Sequence, residues 1–237
     1  MSIFLFILLA LFCSTLDWVK IDVQKRQFTD SNGRTIIFHG VNAVYKIPPF
    51  IPSLTSFDSQ HSLNEQDAQD LSNWGVNIVR LGIEWPGLNP NQGFINNTYL
   101  DLINQVVNML GKYGIYTLLD NHQDLLSRFF CGEGIPDYIE KGLHPSKDFP
   151  KPLPFHIDFD PQTGYPTLET CKQVSTFGEF YLSDKASKAF QEMYTSSSTI
   201  YNQFLQYWDI ISKYFANNPN VVAYELINEP WVGDIYS

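Results

Sequence analysis

TYLDLINQVVNMLGKYGIYTLLDNHQD, residues 98–124, is the stretch whose reading decides the fold. Its first part sets Leu102, Ile103, Val106, Val107 and Leu110 at helical spacing, which makes one apolar stripe on an otherwise polar helix. Gly114 follows as the helix stop. Ile115 to Asp120 is then apolar almost throughout, the pattern of a strand whose sheet is covered on both faces. The strand runs into a polar cluster of Asp120, His122 and Asp124.

The same unit recurs on either side. Upstream, residues 64–74 place Ala68, Leu71 and Trp74 on one helical face, Gly75 ends the helix, and Val76 to Leu81 reads as the strand. Downstream, residues 199–215 carry Ile200, Phe204, Trp208, Ile211 and Phe215 on one face. Asn217-Asn218-Pro219-Asn220 breaks that helix before the strand Val221 to Asn228. Before all three, residues 19–38 read as a hairpin around the turn Asp30 to Arg34, and Thr35 to Asn42 is the candidate first strand of the repeat. Helices alternating with apolar strands imply right-handed βαβ units and a parallel sheet. In such sheets the carboxyl ends of the strands hold the chemistry. Four ends here carry Asn42, then Arg80 with Glu84 and Trp85, then Asp120 with His122 and Asp124, then Asn228 with Glu229.

Residues 125–198 interrupt the pattern and hold seven of the 14 prolines. A connection this long is usually a folded lid or a disordered insert. Its aromatic residues and two cysteines, Cys131 and Cys171, favour the lid. The amino terminus reads as a signal peptide over residues 1–15, with an apolar run from Ile3 to Cys13 too short to span a bilayer. A retained short anchor is the alternative. Cleavage would remove Cys13 and leave Cys131 and Cys171 as a disulfide candidate in an exported, secreted or lumenal chain, or as two unrelated thiols. Residues 16–237 would then be the mature domain. The sequon Asn96-Asn97-Thr98 is consistent with that route. With 25 acidic and 15 basic residues the formal charge is −10, which repels a phosphate backbone and argues against a nucleic-acid partner.

Four stretches together resemble glycoside hydrolase family 5, a cellulase-like family, and within it the endoglycoceramidase branch: FHGVNAVYKIPPF (38–50), VRLGIEWPGLNP (79–90), LLDNHQDLLSRFFCGEGIPDY (118–138) and VVAYELINEPWVGDIY (221–236). They span nearly all of the mature chain. The resemblance implies a (β/α)8 TIM barrel, of which the four βα units are the first half, with residues 125–198 as a lid after the third strand. It implies a retaining O-glycosyl hydrolase that needs no cofactor and acts between the glycan and the ceramide of a glycosphingolipid, touching a membrane surface through that lipid. By the same resemblance Glu229 is the general acid/base, and Asn228 binds the sugar hydroxyl beside the scissile bond. Arg80 holds the nucleophile, His122 is an active-site histidine, and Lys46, Asp120 and Asp124 contact the glycan.

Retention needs two carboxyl groups about 5–5.5 Å apart, one protonating the leaving oxygen and the other attacking the anomeric carbon. Glu229 must hold its proton near working pH, and burial among Trp231 and Tyr224 is expected to keep it there. Asp120, His122 and Asp124 could also converge as metal ligands, but the glycosidase reading uses all three without a metal. Glu84 and Glu133 are expected in surface or supporting positions. The resemblance puts the nucleophilic glutamate near the end of a seventh strand, for which these 237 residues hold no candidate, so the chain reads as a fragment of the barrel. Two other readings are a family 5 endo-β-glucanase and a non-catalytic glycan- or lipid-binding fragment.

Overall fold

The computed structural model describes residues 16–139, 148–174 and 177–237. The expected leader and Cys13 lie outside those residues, as do short stretches of the insertion. The chain enters through a small antiparallel sheet in which β1 (Lys20–Asp22) pairs with β2 (Gln27–Thr29) and β2 with β3 (Thr35–Ile36). Its turn is closed by the Asp30 carboxylate, which accepts the Asn32 and Arg34 amides at 2.9 Å each. The single strand expected over residues 35–42 is therefore two. Thr35 and Ile36 stay with the antiparallel sheet, and β4 (Gly40–Ala43) opens the parallel one. Gly40 allows that approach, because a β carbon there would lie 2.2 Å from the Ile78 carbonyl oxygen.

The parallel sheet continues through β5 (Ile78–Gly82), β6 (Tyr116–Asp120) and β7 (Val221–Glu225), in the order β4-β5-β6-β7. Register sets the chemistry. Asn42 lies beside Arg80, Gly82 beside Asp120, and Asp120 beside Glu225. The polar ends of the central strands are thereby level with one another. Helices follow the predicted stripes. α1 (Glu65–Asn73) starts with a capping box in which Asn64 and Asp67 satisfy each other's backbone amides. α2 is a single turn over Trp85–Leu88, and α3 spans Asn97–Lys112. On α3, Ile103, Val106, Val107 and Leu110 are fully buried, each contributing about 1.5–3 kcal/mol on leaving water. One expectation fails here. Trp74 is 73% exposed, because it is the C-cap of α1 and no longer on the helix's inner face.

The insertion is folded where it is described. It carries a 3-10 turn at Arg128–Phe130, α4 (Leu168–Lys172), a second 3-10 stretch at Phe177–Leu182 and α5 (Asp184–Tyr194), before α6 (Thr199–Phe215) returns the chain to β7. Cys131 and Cys171 form a disulfide. Around it Phe130, Phe149, Phe155 and Phe180 stack in a chain, with ring centres 5.2 to 6.0 Å apart. Trp85, grouped with the strand ends by sequence, belongs to the core, tilted against Phe204 and Tyr207. Among the described residues no helix is long and apolar enough to cross a membrane.

Candidate active site

Arg80 organises the strand ends. It leaves β5 between β4 and β6 and is largely buried, so its guanidinium must find acceptors. It donates from Nε to Glu225 at 2.6 Å and from one terminal nitrogen to the other Glu225 oxygen at 2.8 Å. That same nitrogen reaches Asn228 Oδ1 and Asp120 Oδ2, both at 2.9 Å. The two parallel bonds to Glu225 are the fork geometry that arginine offers and lysine does not. They hold the Glu225 carboxyl below its ordinary value, against a smaller opposing effect of burial. Arg80 thus holds two carboxylates, Asp120 and Glu225, the second from β7 and left unassigned by the sequence within an apolar strand.

His122 is buried, with Nδ1 2.8 Å from Asp120 Oδ2. A proton on Nδ1 donates to that carboxylate and leaves Nε2 to accept from the Asn228 amide at 3.4 Å. Asn228 also donates to the Gln123 carbonyl at 3.0 Å. Its side chain is therefore engaged on three sides, by Arg80, His122 and Gln123. Arg80, Asp120, His122 and Asn228 form one connected network, as their common rim position predicts.

Glu229 follows Asn228 on the same rim, but its side chain is exposed. The expected burial among Trp231 and Tyr224 does not occur. Trp231 stacks on Tyr181 at 5.3 Å and Tyr224 packs edge-on against Trp208 at 5.8 Å. Glu229 takes φ +40°, a left-handed conformation costing a non-glycine residue about 1–2 kcal/mol. Gln123 holds it there. Its amide donates to the Asn228 carbonyl at 2.7 Å and the Glu229 carbonyl at 3.0 Å, while its carbonyl accepts from Leu126 at 2.8 Å. Sequence reasoning passed over Gln123, and only its place between His122 and Asp124 could have drawn attention to it.

A second polar group lies beside the first. Lys46 is ion-paired with Asp124, and its ammonium is 3.7 Å from Glu133. Burial opposes the lysine's charge, but the bond to Asp124 and the neighbouring carboxylates outweigh it, so its pKa stands above the ordinary value. Asp124 and Glu133 exchange backbone hydrogen bonds at 3.0 and 2.7 Å. Burial, with Asp124 adding repulsion that Lys46 partly offsets, pushes the Glu133 carboxyl up to about 8. Glu84 is fully buried, with no hydrogen-bond partner for either carboxylate oxygen. Burial, with Glu133 next, holds it well above the ordinary carboxyl range. Of the surface or supporting positions expected for these two acids, the surface one is corrected: Glu84 is buried and Glu133 is largely so.

His122, Asp124 and Glu133 each bring one ligand atom within 4.8 Å of the others, a spacing a divalent ion could use. Asp120, grouped with His122 and Asp124 by sequence, stands outside that set because Arg80 and His122 engage it. Lys46 already places a cation between Asp124 and Glu133. A cavity of about 520 Å³ bounded by Tyr138, Lys188, Glu192 and Gln203 contains none of these strand-end residues.

The family model described as Cellulase (glycosyl hydrolase family 5) matches residues 30–235. The endoglycoceramidase of Hydra vulgaris is 39% identical over 220 residues, covering 93% of this chain and 42% of that protein. The endoglycoceramidase of Cyanea nozakii is 39% identical over 218 residues, covering 92% and 43%. Among solved structures, endo-glycoceramidase II from Rhodococcus sp. superposes with a TM-score of 0.62 at 25% identity, over 86% of this chain and 42% of that one. The chain spans about two fifths of the length of these relatives.

Proposed function

The chain belongs to glycosyl hydrolase family 5, and on that premise we propose that its strand-end rim is the acid/base side of a retaining endoglycosidase site that cleaves between a glycan and ceramide. The observation that carries this reading is the network of Arg80, Asp120, His122, Asn228 and Glu225, which fixes the rim from which Glu229 projects. An exposed carboxyl there can meet a bound sugar. Lys46 and Asp124 are an open ion pair whose donors and acceptor suit sugar hydroxyls. Among the described residues the other rim carboxyls are held by Arg80 or Lys46 or are buried, so the reading assigns Glu229 the acid/base role and assigns no nucleophile.

The four parallel strands are read as half of a (β/α)8 barrel, with residues 125–198 as the lid. Val41 and Tyr224 mark the exposed outer strands β4 and β7 where further strands would add. The disulfide fits an oxidising, secreted or lumenal setting, and contact with a membrane surface would come through the substrate's lipid. Endoglycoceramidase rather than endo-β-glucanase is favoured by the names and identity of the curated relatives.

The test titrates the purified chain with fluorescent lactosylceramide and with a soluble β-glucan. The reading expects glycolipid binding that weakens at least about tenfold, or 1.4 kcal/mol, in Lys46→Ala, with no release of free lactose. Co-expression with the carboxyl-terminal portion of the Hydra relative should restore lactose release, and Glu229→Gln should abolish it again. Preference for the glucan would transfer the site to the endo-β-glucanase reading. Glycolipid binding with no release in any combination would leave a binding fragment, and robust release by the chain alone would overturn the assignment of roles.

A further inference from the structure

Among the described residues six non-glycine residues take a positive φ, and three of them meet at the strand ends: Leu125 at +56°, Leu126 at +64° and Glu229 at +40°. The left-handed region is costly for any residue with a β carbon, and such conformations persist only where the surrounding contacts impose them. Two side chains impose them here. Gln123 accepts the Leu126 amide at 2.8 Å and donates to the Glu229 carbonyl at 3.0 Å. Tyr181 is the second. Its hydroxyl accepts the Leu125 amide at 2.9 Å and also accepts from the Gln123 side-chain amide at 3.4 Å.

Tyr181 comes from the insertion, in the second 3-10 stretch. Its ring packs against the buried Phe190 of α5, with centres 5.7 Å apart. It also stacks on Trp231, two residues past Glu229, at 5.3 Å and 26°. The insertion grips the same segment at further points. Tyr194 donates to the Trp231 carbonyl, the Tyr236 hydroxyl donates to the Leu182 carbonyl, and Gln191 accepts the Asp234 amide at 3.3 Å. The segment that carries Glu229 is therefore fixed on one side by the strand-end network and on the other by the insertion. Tyr181 joins the two, bonded to the turn after β6 and stacked on the chain after β7.

We infer that Tyr181 is a positioning residue for Glu229, and that the insertion braces the segment bearing that carboxyl. The hydroxyl fixes the left-handed turn at Leu125 and supports Gln123, which holds the Glu229 carbonyl. The ring fixes Trp231, and so the direction in which the chain leaves Glu229. Tyr181 is assigned no contact with substrate. Such bracing matters to an acid/base group because a displacement of about 1 Å can cost about a hundredfold in rate. The acid/base role rests on the reading proposed above, but the brace does not.

The experiment compares Tyr181→Phe and Tyr181→Leu with a control, Phe149→Leu, in the full chain. Phe149 packs against Phe130 and Phe180 in the same insertion and touches neither strand end in the proposed brace. Amide exchange is followed by NMR at Leu125, Leu126 and Asn228, each of which is hydrogen-bonded, together with the Trp231 indole resonance. Tyr181→Leu should speed exchange at all three amides at least about tenfold and move the indole resonance. Tyr181→Phe keeps the ring and loses the hydroxyl, so exchange should rise at Leu125 and Leu126 while the indole resonance stays. Phe149→Leu should leave the three amides and the indole as in wild type. If Tyr181→Leu changes neither Asn228 nor Trp231, or if Phe149→Leu changes them as much, the inference is wrong. Should Tyr181→Leu not fold, Tyr181→Phe decides, and unchanged exchange at Leu126 in that variant would overturn the link through Gln123. With the carboxyl-terminal portion of the Hydra relative co-expressed, kcat on lactosylceramide should fall at least about tenfold in Tyr181→Leu with KM held within about twofold, and Tyr181→Phe should recover part of it. A loss confined to KM would refute positioning. Absence of turnover in every combination, wild type included, would sink the substrate reading alone, since exchange decides the brace.

Discussion

Replacing Arg80 by methionine is the most direct way to test whether the strand-end network holds this fold together. The substitution keeps the apolar stem and removes the guanidinium, leaving Asp120 and Glu225 without their shared cation. The two losses are unequal. Asp120 is fully buried, so an unpaired charge there falls in the range of about 3–5 kcal/mol found when one partner of a buried pair is deleted. Glu225 is one-third exposed and water can replace most of what it loses, so its share is about 0–1 kcal/mol. His122 Nδ1 remains as a donor to Asp120, which brings the total toward the lower end, about 3 kcal/mol. For a chain of this size that is a drop of about 6–12 °C in melting temperature. The sign with pH follows from Glu225. Its folded pKa lies below the ordinary 4.5, first because of the Arg80 bonds, so its contribution is present above pH 4.5 and is lost as pH falls through the folded value. Arg80→Met should therefore flatten the acid limb of stability against pH. Urea unfolding of wild type, Arg80→Met, Asp120→Asn and the double variant would decide. A loss under about 1 kcal/mol, or single effects that add within about 0.5 kcal/mol, would refute the argument that these groups share one network.

Three further outcomes are expected. Cys131→Ser with Cys171→Ser opens a closed loop spanning 40 residues and should cost about 4 kcal/mol in the chain-entropy description, read by denaturant unfolding with and without reductant. Gln123→Leu removes the amide that holds the Asn228 and Glu229 carbonyls and should destabilise by about 1–3 kcal/mol, with faster amide exchange confined to residues around Glu229 and Leu126. Asn96 caps α3 by accepting the Tyr99 amide at 3.1 Å, and its own side-chain nitrogen donates to the Gly87 carbonyl at 3.3 Å. Expression in a glycosylating host should therefore leave Asn96 unmodified by mass spectrometry, and Asn96→Ala should cost about 1 kcal/mol in thermal unfolding.

The parallel sheet and its helices could be read from the sequence because each unit states its period locally. The stripe on α3, the stop at Gly114 (φ +78°) and the strand after it are consecutive and depend on nothing distant. The resemblance added the roles at the strand ends, and Arg80, Asp120, His122 and Asn228 do converge there. What stayed hidden was the state of each group, which is set by neighbours far away in sequence. Glu225 looked like one acid in an apolar strand, and only the β6–β7 register brings it beside Asp120 and within reach of Arg80, 145 residues away. Glu84 sits among Trp85, Pro86 and Gly87 as any loop acid might. Around it are Tyr99 from α3, whose hydroxyl accepts its amide, and Tyr207 from α6, whose hydroxyl donates to the adjacent Ile83 carbonyl. Glu229 failed in the opposite sense, because the aromatic residues counted on to bury it found partners of their own. A strand-end motif therefore fixes which residues share a rim, and the long-range packing around that rim decides which of its carboxyls keep a proton.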